Sequence, residues 1–200
     1  MVRRLGRHFI TCLAGVVLLW TGSAHALYLG NPAPDFVSGD VAIGLALSDL
    51  RETLFLDWGI SDAGTLHFLY GNADLRLGVE GTEFGAGYRH KIGEGFDIAD
   101  KPVRLGVLAL LRIGEIETLN VKTDYTLLHI GFGGAYTPLE NLNIYAAALF
   151  ERNDTEVVTD SDVGLLAGAE FWIAQAFLAG LEVHPGLEND DIVIFGEFRF

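Results

Sequence analysis

Cysteine is nearly absent from this chain of 200 residues: the only one is Cys12. If the first 26 residues are a removed leader, the exported protein has neither disulfides nor thiol chemistry. Basic residues are scarce as well, 13 Lys and Arg against 27 Asp and Glu, and this balance argues against nucleic acid as a partner. Serine is rare after the leader, occurring only at Ser38, Ser48, Ser61 and Ser161. Also lacking, beyond residue 26, is any apolar run near the roughly 20 residues that a membrane-spanning helix needs. Yet half the chain is hydrophobic and its mean hydropathy is +0.33, so the apolar residues must be dispersed rather than clustered.

Residues 1–26 read as a secretory signal peptide. Arg3, Arg4 and Arg7 form a basic head, Phe9 to Trp20 an apolar centre, and Ala24-His25-Ala26 a small-x-small cleavage site. Most of the apolar centre follows Cys12, so the cysteine is badly placed for lipid anchoring. Residues 27–200 then form a single domain with no linker or low-complexity stretch.

The dispersed hydrophobicity has a period of two, the spacing that sends successive side chains to opposite faces of a strand. In DVGLLAGAEFWI, Val163, Leu165, Ala167, Ala169, Phe171 and Ile173 share one face, opposite Asp162, Gly164, Leu166, Gly168, Glu170 and Trp172. The pattern recurs in VRLGVLALLRI, LNIYAAALF, FLAGLEVH and the closing VIFGEFRF. Laid out along the chain, it predicts ten strands near 39–47, 51–60, 63–72, 82–91, 102–114, 123–137, 142–153, 161–174, 177–187 and 190–200. Eight strands is the alternative, with the first hairpin outside the barrel.

Alternation suits a soluble sandwich or cup as well as a membrane barrel, with the two faces exchanged. Three features favour the membrane. The mixed faces are rich in glycine and carry few long charges, which fits a crowded lumen. The segments match the roughly 9 to 11 residues of a tilted span. Aromatics fall in two bands: Trp58, Tyr88, Tyr136, Phe171, Phe177 and Phe198 near one end of the apolar faces, and Tyr70, Phe84 and Phe150 near the other. The expected fold is thus all-β, an antiparallel up-and-down transmembrane β-barrel, with both ends in the periplasm.

Alternating aromatics ending on Phe198 and Phe200 resemble the carboxy-terminal recognition signal of Gram-negative outer-membrane proteins, although Gly196 lies one position from where that signal usually carries glycine. The mature chain as a whole resembles small outer-membrane β-barrels of the OmpA/OmpX kind. The stretches GFGGAYTPLENLNIYAAALFERND and GAEFWIAQAFLAGLEV are similar to the YfaZ-like family. These resemblances imply outer-membrane localisation, contact with membrane lipid and lipopolysaccharide, delivery by the barrel-assembly machinery through the last strand, and a monomer.

The inward faces would carry Arg89, Lys91, Arg104, Arg112 and Arg199 with Glu83, Glu151, Glu170, Glu182 and Glu197, plus His67, His129 and His184. One reading is a selectivity filter or catalytic cluster. The balance of signs favours the other, a set of ion pairs filling a narrow lumen, because confined charges must be paired to be tolerated. Glu115 and Glu117 continue the outward register of Leu111 and Ile113, so they are expected beyond the bilayer edge.

Outer-membrane deacylases would require a His-x-Ser arrangement, and no histidine has one. Omptin-like proteolysis would require an Asp-His pair, and the sequence has no such dipeptide. The acidic loops, Glu151 to Asp162 and the turn with Glu188, Asp190 and Asp191, lack EF-hand spacing and read as solvated tips. Gly131 to Tyr136, GFGGAY, opens no helix and so lacks the context of a phosphate loop. The expectation is a non-enzymatic barrel without cofactor or metal, its charged lumen largely filled, serving the envelope or passing very small solutes. A lipid-modifying barrel enzyme and a soluble periplasmic barrel binding an apolar ligand are the alternatives.

Overall fold

The computed structural model describes residues 28–48, 51–75, 79–118, 121–155, 159–186 and 192–200. The leader, the centre of the Glu151 to Asp162 loop, and the turn with Glu188, Asp190 and Asp191 lie outside the described residues in whole or in part. Ten strands follow in chain order: β1 (Val41–Leu47), β2 (Arg51–Gly59), β3 (Gly64–Leu75), β4 (Val79–Ile98), β5 (Lys101–Thr118), β6 (Val121–Leu139), β7 (Leu142–Thr155), β8 (Thr159–Ala174), β9 (Phe177–Val183) and β10 (Ile192–Arg199). Each pairs antiparallel with its neighbours in sequence, and β1 pairs with β10 to close the barrel. The first hairpin is therefore part of the wall, and the eight-strand alternative is set aside.

Closure is by backbone hydrogen bonds: Ala42 lies opposite Arg199 and Leu47 opposite Ile194. Phe200 N also donates to Val41 O at 2.8 Å. A closed ladder leaves no free edge, which is what a strand protein must achieve in hydrocarbon.

The side chains alternate as the period-two pattern requires, but with burial inverted relative to a soluble protein. Outward-facing Val163 is 74% exposed and Leu165 56%, whereas inward-facing Arg112 is 1% and Glu83 2% exposed. An apolar exterior around an ionic interior is the arrangement a bilayer selects. Trp58, Tyr88, Phe171, Phe177 and Phe198 are exposed at the end where β1 begins and β10 finishes, here called the terminal end of the barrel, and Tyr70, Phe84 and Phe150 are exposed toward the other.

Several strand limits differ from the sequence expectation. β4 begins before 82 and continues past 91 to Ile98, and β5 reaches Thr118 rather than 114. The extra residues extend the β4–β5 and β5–β6 hairpins. His90 faces Gly64, the first residue of β3, and Lys91 N donates to Ala63 O at 2.7 Å; past Lys91, β4 stays paired to β5 alone, with irregularities at Lys91/Gly93 and Glu94/Asp97. Ala99 and Asp100, at φ 50° and 62°, make the tight reversal that the right-handed twist of a hairpin favours. β9 ends at Val183 rather than 187, two residues before Pro185, which has no N–H to give a ladder.

Candidate functional site: the lumen and the segment that fills it

The inward side chains form layers from one end of the barrel to the other. At the end remote from the termini, Arg51 of β2 and Arg112 of β5 converge on Glu83 of β4. Arg51 Nη1 donates to both carboxylate oxygens, at 2.9 and 2.8 Å, Arg112 Nη2 pairs with Oε2, and the Tyr125 hydroxyl donates to Oε2 at 2.6 Å. Beside them, His129 and Glu151 face each other across β6 and β7, with Nε2 and Oε2 2.7 Å apart. Such saturation is required because a buried charge without partners costs several kcal/mol, by a rough general estimate.

Next to this ionic layer lies an apolar cluster that also takes in Tyr28 and Leu29. Leu69, Leu110, Leu149, Leu166 and Val193, from five different strands, belong to one buried cluster. Next come Asp57 and His67, opposite each other on β2 and β3, with Oδ1 and Nδ1 2.6 Å apart. Arg89 of β4 reaches the same carboxylate oxygen.

The remaining space is occupied by chain that is not strand. Tyr28, Leu29, Asn31, Ala33 and Phe36 are all buried, although the segment holding them precedes the first strand. The Tyr28 ring lies between Phe55 and Phe195, with centroids 4.3 and 4.6 Å away. The Leu29 and Gly30 amides donate to the two oxygens of Glu182 at 2.8 and 2.9 Å. The same carboxylate accepts from the Tyr145 hydroxyl at 2.7 Å and lies 2.7 Å from His184 Nε2. Gly30 has φ 76° and lies against the Arg89 guanidinium, so a side chain there would meet both strain and a clash.

Asn31 then turns the chain. Its Oδ1 accepts from Ala33 N at 2.9 Å while its Nδ2 donates to Glu170 at 3.2 Å. Pro32 packs on Gly106 of β5, whose missing Cβ makes the approach possible. At the mouth, Asp35 pairs with Arg104 through its side chain, and its carbonyl accepts from Arg199 Nη1 at 3.1 Å. The Arg199 guanidinium sits over the Phe36 and Trp172 rings, at 4.1 and 4.7 Å, and is also paired with Glu197. Of the space left, a cavity of about 70 Å³ lies at this mouth, beside Tyr28, Phe36, Glu170, Trp172, Glu197 and Arg199.

The expected lumen residues Arg89, Arg104, Arg112, His129, Glu170, Glu182, Glu197 and Arg199 all point inward, but they do not form one network. They divide into pairs and triads at different depths, two of which, Glu182 and Glu170, are held by the N-terminal segment. Lys91 falls at the β4 irregularity near the rim and joins none of the ion pairs among the described residues. Glu115 lies at the far end as an exposed partner of Lys122, 2.6 Å from its Nζ. Phe198 and Phe200 project outward as adjacent rings, 5.2 Å between centroids.

Sequence reasoning missed Arg51, Asp57, Asn143, Tyr145 and the whole of 28–36. Asp57 was legible in principle, since it falls in register with inward Thr53 and Phe55 on β2. The Asp-His pair sought as a dipeptide exists instead across two strands, Asp57 to His67. Both side chains are almost wholly buried, at 0% and 2% exposure, and Arg89 holds the carboxylate. Among the described residues no three His, Cys, Asp or Glu side chains come together as a metal site.

No family model matches the chain, and no curated protein sequence matches it. Among solved structures it is similar to the N-terminal β-barrel domain of Pseudomonas aeruginosa OprF, at 17% identity and TM-score 0.39, covering 82% of this chain and 98% of that one. It is similar to the KdgM porin at 13% identity and TM-score 0.41, covering 80% and 99% of the two chains. It is also similar to the translocator domain of the autotransporter NalP from Neisseria meningitidis, at 10% identity and TM-score 0.42, covering 100% and 96%.

Proposed function

We propose that this protein is a monomeric integral outer-membrane barrel of a Gram-negative envelope, non-enzymatic and closed at rest, with any passage restricted to very small solutes. The observation that carries this reading is the filling of the lumen by ion-paired groups, a buried apolar cluster and the segment 28–36 lodged against them. A barrel of this width without such filling would hold an aqueous path or a ligand cavity. Its outward apolar band, bounded by aromatics, suits lipid, and lipopolysaccharide would meet the acidic far-end loops. Phe198 and Phe200, at the end of a strand that closes the wall, suit recognition by the barrel-assembly machinery. The YfaZ-like resemblance is kept here as the family to test first.

A lipid-modifying enzyme would need a nucleophile or base within reach of an acyl chain. The Asp57-His67 pair faces inward and is sealed, and Ser48 and Ser61 occupy turns, where their hydroxyls bond local backbone. This favours the non-enzymatic reading.

Expression of the full precursor in a Gram-negative host tests it. Outer-membrane recovery, a band that migrates differently before and after boiling, and no stable channel events in planar bilayers are the expected results. Recovery in the soluble periplasm would overturn the membrane assignment, and large stable conductance would overturn the closed lumen. Protein-dependent loss or gain of lipid A acyl chains would establish the enzyme instead.

A further inference from the structure

We propose that the half of the lumen at the terminal end is a binding site for a short peptide, and that residues 28–36 are its resident occupant, which a competing peptide of the same chemistry replaces. The inference rests on the closed-lumen reading and adds what the filled half is built to take.

The wall groups that meet the segment do not depend on it. Each oxygen of Glu182 accepts from one segment amide and has one other partner: Oε1 takes Leu29 N and lies beside His184 Nε2, while Oε2 takes Gly30 N and the Tyr145 hydroxyl. Glu170 Oε2 accepts from Asn31, and also from Asn143 Nδ2 of β7 at 2.7 Å. Arg104 pairs with Asp35, and its Nη2 also donates to Asn143 Oδ1 at 3.0 Å and to Thr137 Oγ1 at 3.3 Å. Arg199 meets Asp35 O and the Phe36 ring, and also Glu197 and Trp172. With the segment withdrawn, each of these groups keeps a partner and the closed ladder of strands is untouched. Polar groups oriented in advance around a concave space are the marks of a ligand site.

What the wall recognises in the segment is largely peptide backbone. Two successive amides meet the two oxygens of one buried carboxylate, and a carbonyl meets Arg199. Gly106, lacking a Cβ, admits the backbone of Pro32 and Ala33. The side chains read are few: a ring in the slot between Phe55 and Phe195, an amide on Glu170 and a carboxylate on Arg104. The ligand class follows from these contacts. It is a near-neutral peptide with an aromatic residue and two free amides directly after it, the second on a glycine in the left-handed region. Pro32 and Pro34 have no N–H to give a ladder, so such a peptide stays a guest and does not join the sheet. Their fixed φ also lowers the entropy lost on docking.

The test uses the full chain as purified from the host, with the heat-dependent gel shift as the check on the barrel. The probe is a capped peptide YLGNPAPDF carrying a fluorophore. Gly30→Val unseats the resident segment by strain and by a clash with Arg89, leaving the wall unchanged. Tyr28→Ser with Asn31→Ala is a second route to the same end. Release is read as proteinase K cleavage within residues 28–36. The native protein should resist cleavage there and bind the probe at least about tenfold more weakly than either variant, because a tethered occupant competes at an effective concentration on the order of mM. A probe with valine for its glycine should bind Gly30→Val at least about tenfold more weakly, and so should the original probe once Glu182→Gln is added.

A variant that is cut within the segment, keeps its gel shift and binds no probe would overturn the site. A segment that resists in both variants would overturn it too, because the named contacts would not be what seats it. Equal binding by the native protein and the variants would overturn residues 28–36 as the occupant. Stable channel events from the native protein in planar bilayers would defeat the closed-lumen reading, and the binding comparison would still decide the site.

Discussion

The two halves of the lumen are filled by different means. In the half remote from the termini, everything that meets Glu83 is a strand side chain: Arg51, Arg112 and Tyr125 arrive from the wall at fixed register. In the half near the termini, the partners of Glu182 and Glu170 include the backbone of residues 29 and 30 and the side chain of Asn31. The first half cannot be emptied without changing the wall. The second can, because residues 28–36 lie outside the strands, and this difference locates the part of the molecule able to open.

The largest expected contrast comes from crowding Gly106, where the segment 28–36 rests on the wall. Gly106→Leu should expel residues 28–36 and convert a silent protein into one with stable channel events, with the gel shift intact, whereas Gly114→Leu at the far end should leave it silent. If Gly106→Leu is also silent, the halves do not differ as described.

The next contrast is energetic. Arg112→Ala leaves the buried Glu83 with one cation in place of two and should cost about 3–5 kcal/mol, read from urea midpoints in lipid vesicles. Arg104→Ala, whose partner Asp35 belongs to the segment 28–36 and is half exposed, should cost under about 1 kcal/mol by comparison with surface pairs. Equal costs would show that the near-terminal half is as rigid as the far one.

Smaller effects belong to the exterior. Leu165→Arg, placed on the lipid face near the middle of β8, should destabilise by about 2–4 kcal/mol in a bilayer. The same change should be nearly neutral in a barrel that is soluble, so it sharpens the inside-out assignment independently of any pore. Smallest of all, Asp154→Asn breaks an exposed pair with Arg152, 2.9 Å apart, and should leave the urea midpoint unchanged.

Much of this was legible from period two alone. The inward register of Arg112, His129, Glu170 and Glu182 follows from their spacing to Leu165, Leu111 and their neighbours, because a strand can place a residue on only two faces. The partners were not legible. Asp57 meets His67 and His129 meets Glu151 because of strand register, and register is fixed by turn lengths and bulges that one chain's pattern does not display.

By itself, then, the sequence determined an alternating, glycine-rich wall with an apolar outer face, an ionic inner face and a terminal aromatic strand, since these depend only on local period and on the solvent each face prefers. Only the tertiary structure decided that β1 closes on β10, which charges share a depth, and that Tyr28 to Phe36 turns back into the lumen. That segment, YLGNPAPDF, has no period to read. Its place is set by what lies around it from distant strands: a glutamate lacking a strong cation, two aromatic rings, and a glycine that leaves room for Pro32.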